Sequence, residues 1–258
     1  MKLKEFVNYL WTKYPFANKE PWDPTGYSFK PNQNYNLKGV IVAIDVTSEV
    51  VEKAIKTGSN FILTHHPFLF ERDLVTESIK APYKMDLIKK IIEHRITVFS
   101  MHTNYDNHPQ GTSFQIAKTL GLDTNVEPAD SNYTCVVQKS VSVNQLKELI
   151  QRNLGFSEFR TNVSKDDLDK EFKNLAILSG SGYIGQINEL SQNGIELIVS
   201  SDFKWSDWVN YRESKVNVLE IPHLDEEVFV EDIYQQINAD FPELSIEKVE
   251  LTVPFYNL

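Results

Sequence analysis

The chain has 258 residues, 41% of them hydrophobic and 24% charged, a globular balance that excludes wholesale disorder and a long coiled coil. Its net charge of −10, from 36 acidic residues against 26 basic ones, repels a phosphate backbone at long range and argues against general nucleic-acid binding. No run of 18 apolar residues could span a bilayer. The start MKLKEFVNYLWTKYP has no uninterrupted apolar core of the secretory kind, and the single cysteine, Cys135, cannot form an internal disulfide. We expect a cytoplasmic protein with no membrane partner.

Leu3, Phe6, Val7, Leu10 and Trp11 recur at helical spacing and predict an amphipathic helix closed by Tyr14-Pro15. The polar, proline-containing stretch from Phe16 to Leu37 reads as a long loop. A rhythm of strands and helices then begins. Val40–Val46 is an apolar run suited to a buried strand, Ser48 can cap a following helix, and Gly58 can stop it. Phe61–Thr64 and Ile96–Ser100 read as further strands, with a helix around Met85–Ile92 between them and another at Phe114–Leu120. Around Val126–Asn132 the signal weakens, and Pro128, Asp130 and Ser131 read as a connection. A second alternating set follows. Its strands are Tyr133–Gln138, Leu175–Leu178, Leu197–Ser200 and Val216–Ile221, and its helices are Val143–Asn153, Ile184–Gln192 and Trp205–Glu213. A helix from about Asp225 to Ile237 and a strand over Ile246–Val253 finish the chain. The pattern predicts an α/β protein of two similar-sized α/β lobes, residues 1–127 and 128–258, with mainly parallel or mixed sheets.

Three segments carry chemistry. Thr64-His65-His66-Pro67 sits at the carboxyl end of an apolar strand, where open α/β sheets bind ligands. Adjacent side chains of an extended chain point apart, so two ligating histidines here would serve one ion each; the plain alternative is a surface or hydrogen-bonded pair. His102-Thr103-Asn104-Tyr105-Asp106 follows the strand Ile96–Ser100, and reads equally as a ligand segment or as a turn. His223-Leu224-Asp225-Glu226-Glu227 follows the run Val216–Ile221, where acidic residues also suit a helix N-terminus. The coincidence of three strand ends bearing His, Asp or Glu favours a metal site. His94, on a predicted helix, reads as a surface residue.

With these segments the sequence resembles the NIF-three-like dinuclear-metal proteins, also called type 2 homologues of GTP cyclohydrolase I. Trp22-Asp23-Pro24-Thr25-Gly26, Ile44-Asp45-Val46-Thr47, Gly180-Ser181-Gly182 and Asp202-Phe203-Lys204 extend the resemblance along nearly the whole chain. The resemblance implies metal ligands at His65, His66, Asp106, His223 and Glu227, holding two divalent ions (Zn, Fe, Mn or Co) in a cleft between the lobes. It also implies a homohexamer. Three imidazoles and two carboxylates leave such a pair of ions with net positive charge, so an acidic chain can still attract an anionic small molecule. The implied chemistry is metal-dependent hydrolysis, cyclohydrolase-like or phosphoesterase-like, of a phosphate-containing or nucleotide-like substrate by a metal-bound water, with His102 and Glu226 as candidate catalytic bases. Pro222 stands where the family usually has glycine before the late histidine. Gly111-Thr112-Ser113 and Trp205-Ser206 are further departures, and they touch groups behind the ligands, not the ligands themselves.

Two other readings stand beside this one. A non-enzymatic metal-binding scaffold or interaction protein would use the same ligands. Gly180-Ser181-Gly182-Tyr183-Ile184-Gly185 fits G-x-G-x-x-G between a predicted strand and helix, with Asp202 about twenty residues on, the context of a dinucleotide fingerprint or of a turn that holds a phosphate near the metals. Trp22, Trp205 and Trp208 are either ring-stacking groups at a pocket mouth or core and interface residues.

Overall fold

A computed structural model describes residues 1–31, 35–127 and 133–255. Its strands are β1 (Gly26–Phe29), β2 (Val40–Ala43), β3 (Phe61–Thr64), β4 (Thr97–Ser100), β5 (Val126–Glu127), β6 (Thr134–Val141), β7 (Arg160–Thr161), β8 (Phe172–Leu178), β9 (Leu197–Ser200), β10 (Val218–Glu220) and β11 (Ile246–Lys248). The helices are α1 (Leu3–Lys13), α2 (Ser48–Thr57), α3 (Leu74–Lys80), α4 (Lys84–Glu93), α5 (Thr103–Asp106), α6 (Thr112–Thr119), α7 (Val143–Leu154), α8 (Ile184–Gln192), α9 (Trp205–Ser214) and α10 (Val228–Asp240). No helix among the described residues is long and apolar enough to cross a membrane.

The strands form two mixed sheets, as expected of an α/β chain of this pattern. The first has five strands in the order β1-β4-β3-β2-β11, and the second has six in the order β5-β6-β8-β9-β10-β7. In the first, β11, β2, β3 and β4 run parallel and β1 pairs antiparallel with β4. In the second, β8, β9 and β10 are parallel, while β5, β6 and β7 add antiparallel pairings at the two sides.

The chain divides into two compact units, and not at residue 127. Unit 1 comprises Met1–His108 and Phe229–Leu251, and unit 2 comprises Pro109–Val228 with the described residues from Thr252 onward. The sequence boundary is corrected for two reasons. Helix α6, which lies before residue 127, buries Ile116 and Ala117 in the same core as Val137, Leu175 and Leu197. At the other end, β11 pairs with β2 and so returns the C-terminal segment to the first sheet. Of the connection read at Val126–Asn132, Val126–Glu127 is strand β5, and residues 128–132 lie outside the described residues.

Each unit covers its sheet for a reason visible in the strands. Strands β2, β3, β4 and β9 are buried at every position, the signature of a sheet sandwiched on both faces. Along β8 the alternation splits the core. Leu175 and Ile177 join one apolar cluster with α7, whereas Ala176 and Leu178 join another with Ile187 of α8 and Tyr211 of α9. In unit 1, Val50, Val51 and Ala54 of α2 and Leu87, Ile88 and Ile91 of α4 pack on Ile41, Ile62 and Val98. Helix α2 is capped by Thr47, whose side chain accepts from the Val50 N–H, one residue earlier than Ser48, and ends at left-handed Gly58.

Several elements depart from the sequence reading, α5 and β7 among them. The stretch expected to be loop contains β1, and α3 was not anticipated. The late helix also starts differently: His223–Glu227 is a 3-10 segment, and α10 begins only at Val228.

Candidate metal centre

In unit 1 the parallel register of β2, β3 and β4 brings their carboxyl ends side by side. Pairing continues past the strands: the His65 N–H donates to Ala43 O at 3.3 Å, the His66 N–H to Ile44 O at 3.0 Å, and the Met101 N–H to Thr64 O at 2.9 Å. Residues 44–45, 65–66 and 101–102 therefore meet at one sheet edge. Because β1 runs antiparallel to β4, the segment Trp22–Thr25 that precedes it reaches the same edge.

The histidines here are held in a repeated way. The His65 Nδ1 lies 3.0 Å from the Met101 carbonyl, the His66 Nδ1 3.0 Å from Asp45 Oδ1, and the His102 Nδ1 3.0 Å from Asp23 Oδ1. Each partner is an acceptor, so Nδ1 carries a proton and Nε2 is the nitrogen that a neutral ring can offer to an ion. One ring nitrogen from each of His65, His66 and His102 lies within 4.8 Å of the others, a spacing that could hold an ion. Asp106, placed by the short helix α5, stands with Oδ1 3.5 Å from His65 Nε2. The expectation that His65 and His66 diverge is not met. Their ring centroids are 5.1 Å apart because both residues lie in a bend beyond the end of β3.

Asp23 is the best-satisfied carboxylate of the set. It is buried, and it accepts from the Thr25 N–H and hydroxyl, the Thr103 N–H and hydroxyl, and His102. Burial pushes its carboxyl up, but these donors, led by His102, outweigh that and hold it well below the usual carboxylate range. Asp23 fixes the His102 ring. Beyond His102 stand two aromatic rings: Trp22 meets the imidazole nearly at right angles at 5.9 Å, and Phe70 lies 6.1 Å from Trp22.

Unit 2 carries its own set, built the same way. The ends of β8, β9 and β10 deliver Gly180, Asp202 and His223, with the Ser201 N–H donating to Gly180 O and the Ile221 N–H to Ser200 O, both at 3.0 Å. The His223 Nδ1 lies 2.8 Å from Asp202 Oδ2, the fourth histidine with this nitrogen committed to an oxygen acceptor. Asp202 sits at φ 55°, the left-handed region that Asp tolerates better than most residues. His223 Nε2 is 3.0 Å from Glu226 Oε2. Burial alone would lower the His223 pKa, but the Asp202 and Glu226 carboxylates raise it to about 11.

The carboxylate facing His223 Nε2, at 3.0 Å, is Glu226, which the sequence named as a candidate base. Glu227, named as a ligand, closes the 3-10 segment with its Oε2 buried. The cause is helical pitch. A 3-10 turn has three residues, so positions i and i+3 eclipse, whereas an α-helix would have stacked His223 with Glu227.

The glycine turn next to this set is engaged internally. The Gly180 N–H faces Asp225 Oδ1 at 3.4 Å, and the Gly182 N–H donates to Ser200 Oγ at 3.0 Å. Gly180 has φ 55°, and a Cβ there would fall on Glu226 Oε1. Asp225 is fully buried, and burial, then the neighbouring Glu226, pushes its carboxyl well above the ordinary range. A turn with the Gly180 and Gly182 N–H groups engaged and with carboxylates beside it is a poor seat for a phosphate. His94 is exposed at the end of α4, as expected.

Sequence reasoning missed Asp45 and Asp202 as the groups that orient His66 and His223, and Asp23 as the group behind His102. All three lie in segments that carried the family resemblance, which is the signal that could have found them.

The sequence profile of the Duf34/NIF3 (NGG1p interacting factor 3) family matches residues 1–254. A GTP cyclohydrolase 1 type 2 homolog of Mycoplasmopsis pulmonis is 36% identical over 231 residues, 89% of this chain and 90% of the relative. One of Ureaplasma parvum is 30% identical over 240 residues, 92% of this chain and 90% of that protein. The crystal structure of a Staphylococcus aureus hypothetical protein superposes with a TM-score of 0.86 at 25% identity, covering 100% of this chain and 99% of the other. With a profile spanning almost every residue and relatives matched over nine-tenths of their length, the chain belongs to the Duf34/NIF3 family.

Proposed function

We propose that the protein binds two divalent metal ions through His65, His66, Asp106, His223 and Glu227, and that it is a metal-dependent hydrolase of a phosphate-containing or nucleotide-like small molecule. The observation that carries this reading is the shared state of four histidines. His65, His66, His102 and His223 each commit Nδ1 to a carboxylate or carbonyl oxygen, the arrangement by which proteins present Nε2 to a metal. Mixed imidazole and carboxylate donors suit Zn, Fe, Mn or Co. Bound divalent ions would supply Lewis acidity toward a phosphoryl or carbonyl oxygen and a nucleophile at neutral pH.

The chain's own residues do the rest. Asp45 and Asp202 orient His66 and His223, and Asp23 orients His102. His102, a histidine backed by a buried carboxylate, has the build of a proton carrier and is our candidate base. Glu226 is better read as a second carboxylate near the metals, since it faces the ligand His223 directly. The relatives' names include the words GTP cyclohydrolase, which suits a nucleotide-like substrate. Self-association into a homohexamer belongs to the same reading.

Metal content per chain, measured by elemental analysis on protein purified without added metal or chelator, tests the proposal. Two ions per chain in the wild type and loss of both in a His65→Ala/Glu227→Ala double variant are expected. Metal-poor protein that Zn, Mn, Fe and Co all fail to load would overturn it.

A further inference from the structure

Three tryptophans stand out in the sequence as ring platforms, and the structure separates them. Trp208 is packed, with Phe203 at 5.4 Å and the Arg160 guanidinium 5.6 Å from its ring. Trp205 is exposed on unit 2. Trp22 alone touches the histidine set of unit 1: its ring lies 5.9 Å from that of His102, which is itself 5.2 Å from His65 and 5.7 Å from His66.

Trp22 is anchored at its base and open at its ring. The next residue, Asp23, is buried and tied to His102, Thr25 and Thr103, which fixes the backbone that carries the indole. The indole nevertheless leaves 61% of the residue's surface exposed, and Phe70 beside it leaves 48%. Phe70 is anchored too, through its N–H to the buried Glu77 carboxylate at 2.9 Å. Two large rings carried on anchored backbone at the edge of a polar site offer apolar contact area with few side-chain torsions to fix. Nothing about orienting the imidazoles requires them, since hydrogen bonds already do that.

We propose that Trp22, with Phe70 beside it, is a stacking rim that selects ligands carrying a flat aromatic or heteroaromatic ring next to the group that meets the metals. The inference rests on the metal reading above and names the substrate class of that same site: an oxygen-donor head for the metals and a planar ring for the indole. Stacking is tolerant of ring identity, so the rim sets the class and leaves the choice of ring to other contacts.

Acetohydroxamate and benzohydroxamate are suitable probes, because both offer a metal-binding hydroxamate and only the second carries a ring. Titration calorimetry on Zn-loaded protein should show benzohydroxamate binding preferred. In Trp22→Ala the ratio of the two affinities should fall by roughly tenfold, the order that one stacked ring contributes. Acetohydroxamate affinity and metal content should stay unchanged, and Trp22→Phe should keep most of the ratio. A ratio that Trp22→Ala leaves intact, an equal loss for both probes, or metal-loaded protein that binds neither would overturn the stacking rim while leaving the metal centre standing. So would a Trp22→Ala variant that changes only oligomeric state. Wild-type protein that takes up no metal overturns both.

Discussion

A histidine becomes a dependable ligand only when its second nitrogen has a fixed job, and here the partners that supply that job come from far along the chain. Asp45 is 21 residues from His66, Asp202 is 21 from His223, and Asp23 is 79 from His102. Asp45→Asn keeps the shape but removes the charge that orients His66. Metal affinity, measured by competition with a chelator, should fall on the order of 10–100-fold. The thermal midpoint of the metal-free protein should barely move, because the Asp45 side chain is half exposed. The candidate ligands stood out in the sequence because His-His-Pro and the late His-Leu-Asp-Glu-Glu sit beside apolar strands. Their orienting carboxylates were not, since hydrogen bonds across strands leave no trace in local spacing. Glu226 and Glu227 show a finer limit: that Glu226 faces His223 Nε2 follows from the pitch of the 3-10 segment, and the sequence has no marker for such a turn there.

Strands buried on both faces announce themselves as apolar runs, which is why β3, β4 and β9 were readable to within a residue, while the run at β2 overshot its end by three. Helix α3 was not, because its pattern is inverted. Glu77 is its only buried residue, while Leu74, Val75 and Ile79 face outward. A buried acid is tolerable because it is saturated. It accepts from the Phe70 N–H at 2.9 Å, the Glu71 N–H at 2.7 Å and Lys84 Nζ at 2.6 Å. Burial pushes the Glu77 carboxyl up, but Lys84 and the two N–H donors outweigh it and leave it lowered. A carboxyl lowered in the folded state contributes stability that is present above its unfolded value near 4.5 and is lost as the pH falls through the folded value. Glu77→Gln should therefore cost about 3 kcal/mol at pH 7, as expected for one partner of a buried pair. Most of that difference should vanish in acid. Urea unfolding at pH 7 and below pH 4 measures both. Strand β1 escaped notice for the opposite reason, since Gly26–Phe29 is short and set in polar sequence.

The outward face of α3 also bears on assembly. Val75 and Ile79 leave 71% and 77% of their surface exposed, and Leu74 adds to the same short helix. Apolar groups gathered this way mark contact surfaces. If the protein assembles with itself through this face, Ile79→Asp should lower the molar mass measured by light scattering while leaving circular dichroism and metal content unchanged. A variant whose mass equals that of the wild type would remove α3 from the contact.

Unit 1 is written in two pieces, with Pro109–Val228 of unit 2 inserted before the chain returns. This order has a consequence for how the protein is made. Strand β2 takes β11 as its outer neighbour, and Val40, Ile41 and Val42 are wholly apolar and buried. On the ribosome Ile246–Lys248 emerges about 200 residues after β2. At about 5–20 residues per second, that leaves an apolar strand edge open for roughly 10–40 seconds. During that interval the nascent chain offers a template for wrong pairing. The first sheet can close only after translation has passed through the second unit, so the nascent chain needs shielding longest at the strand beside the histidine pair.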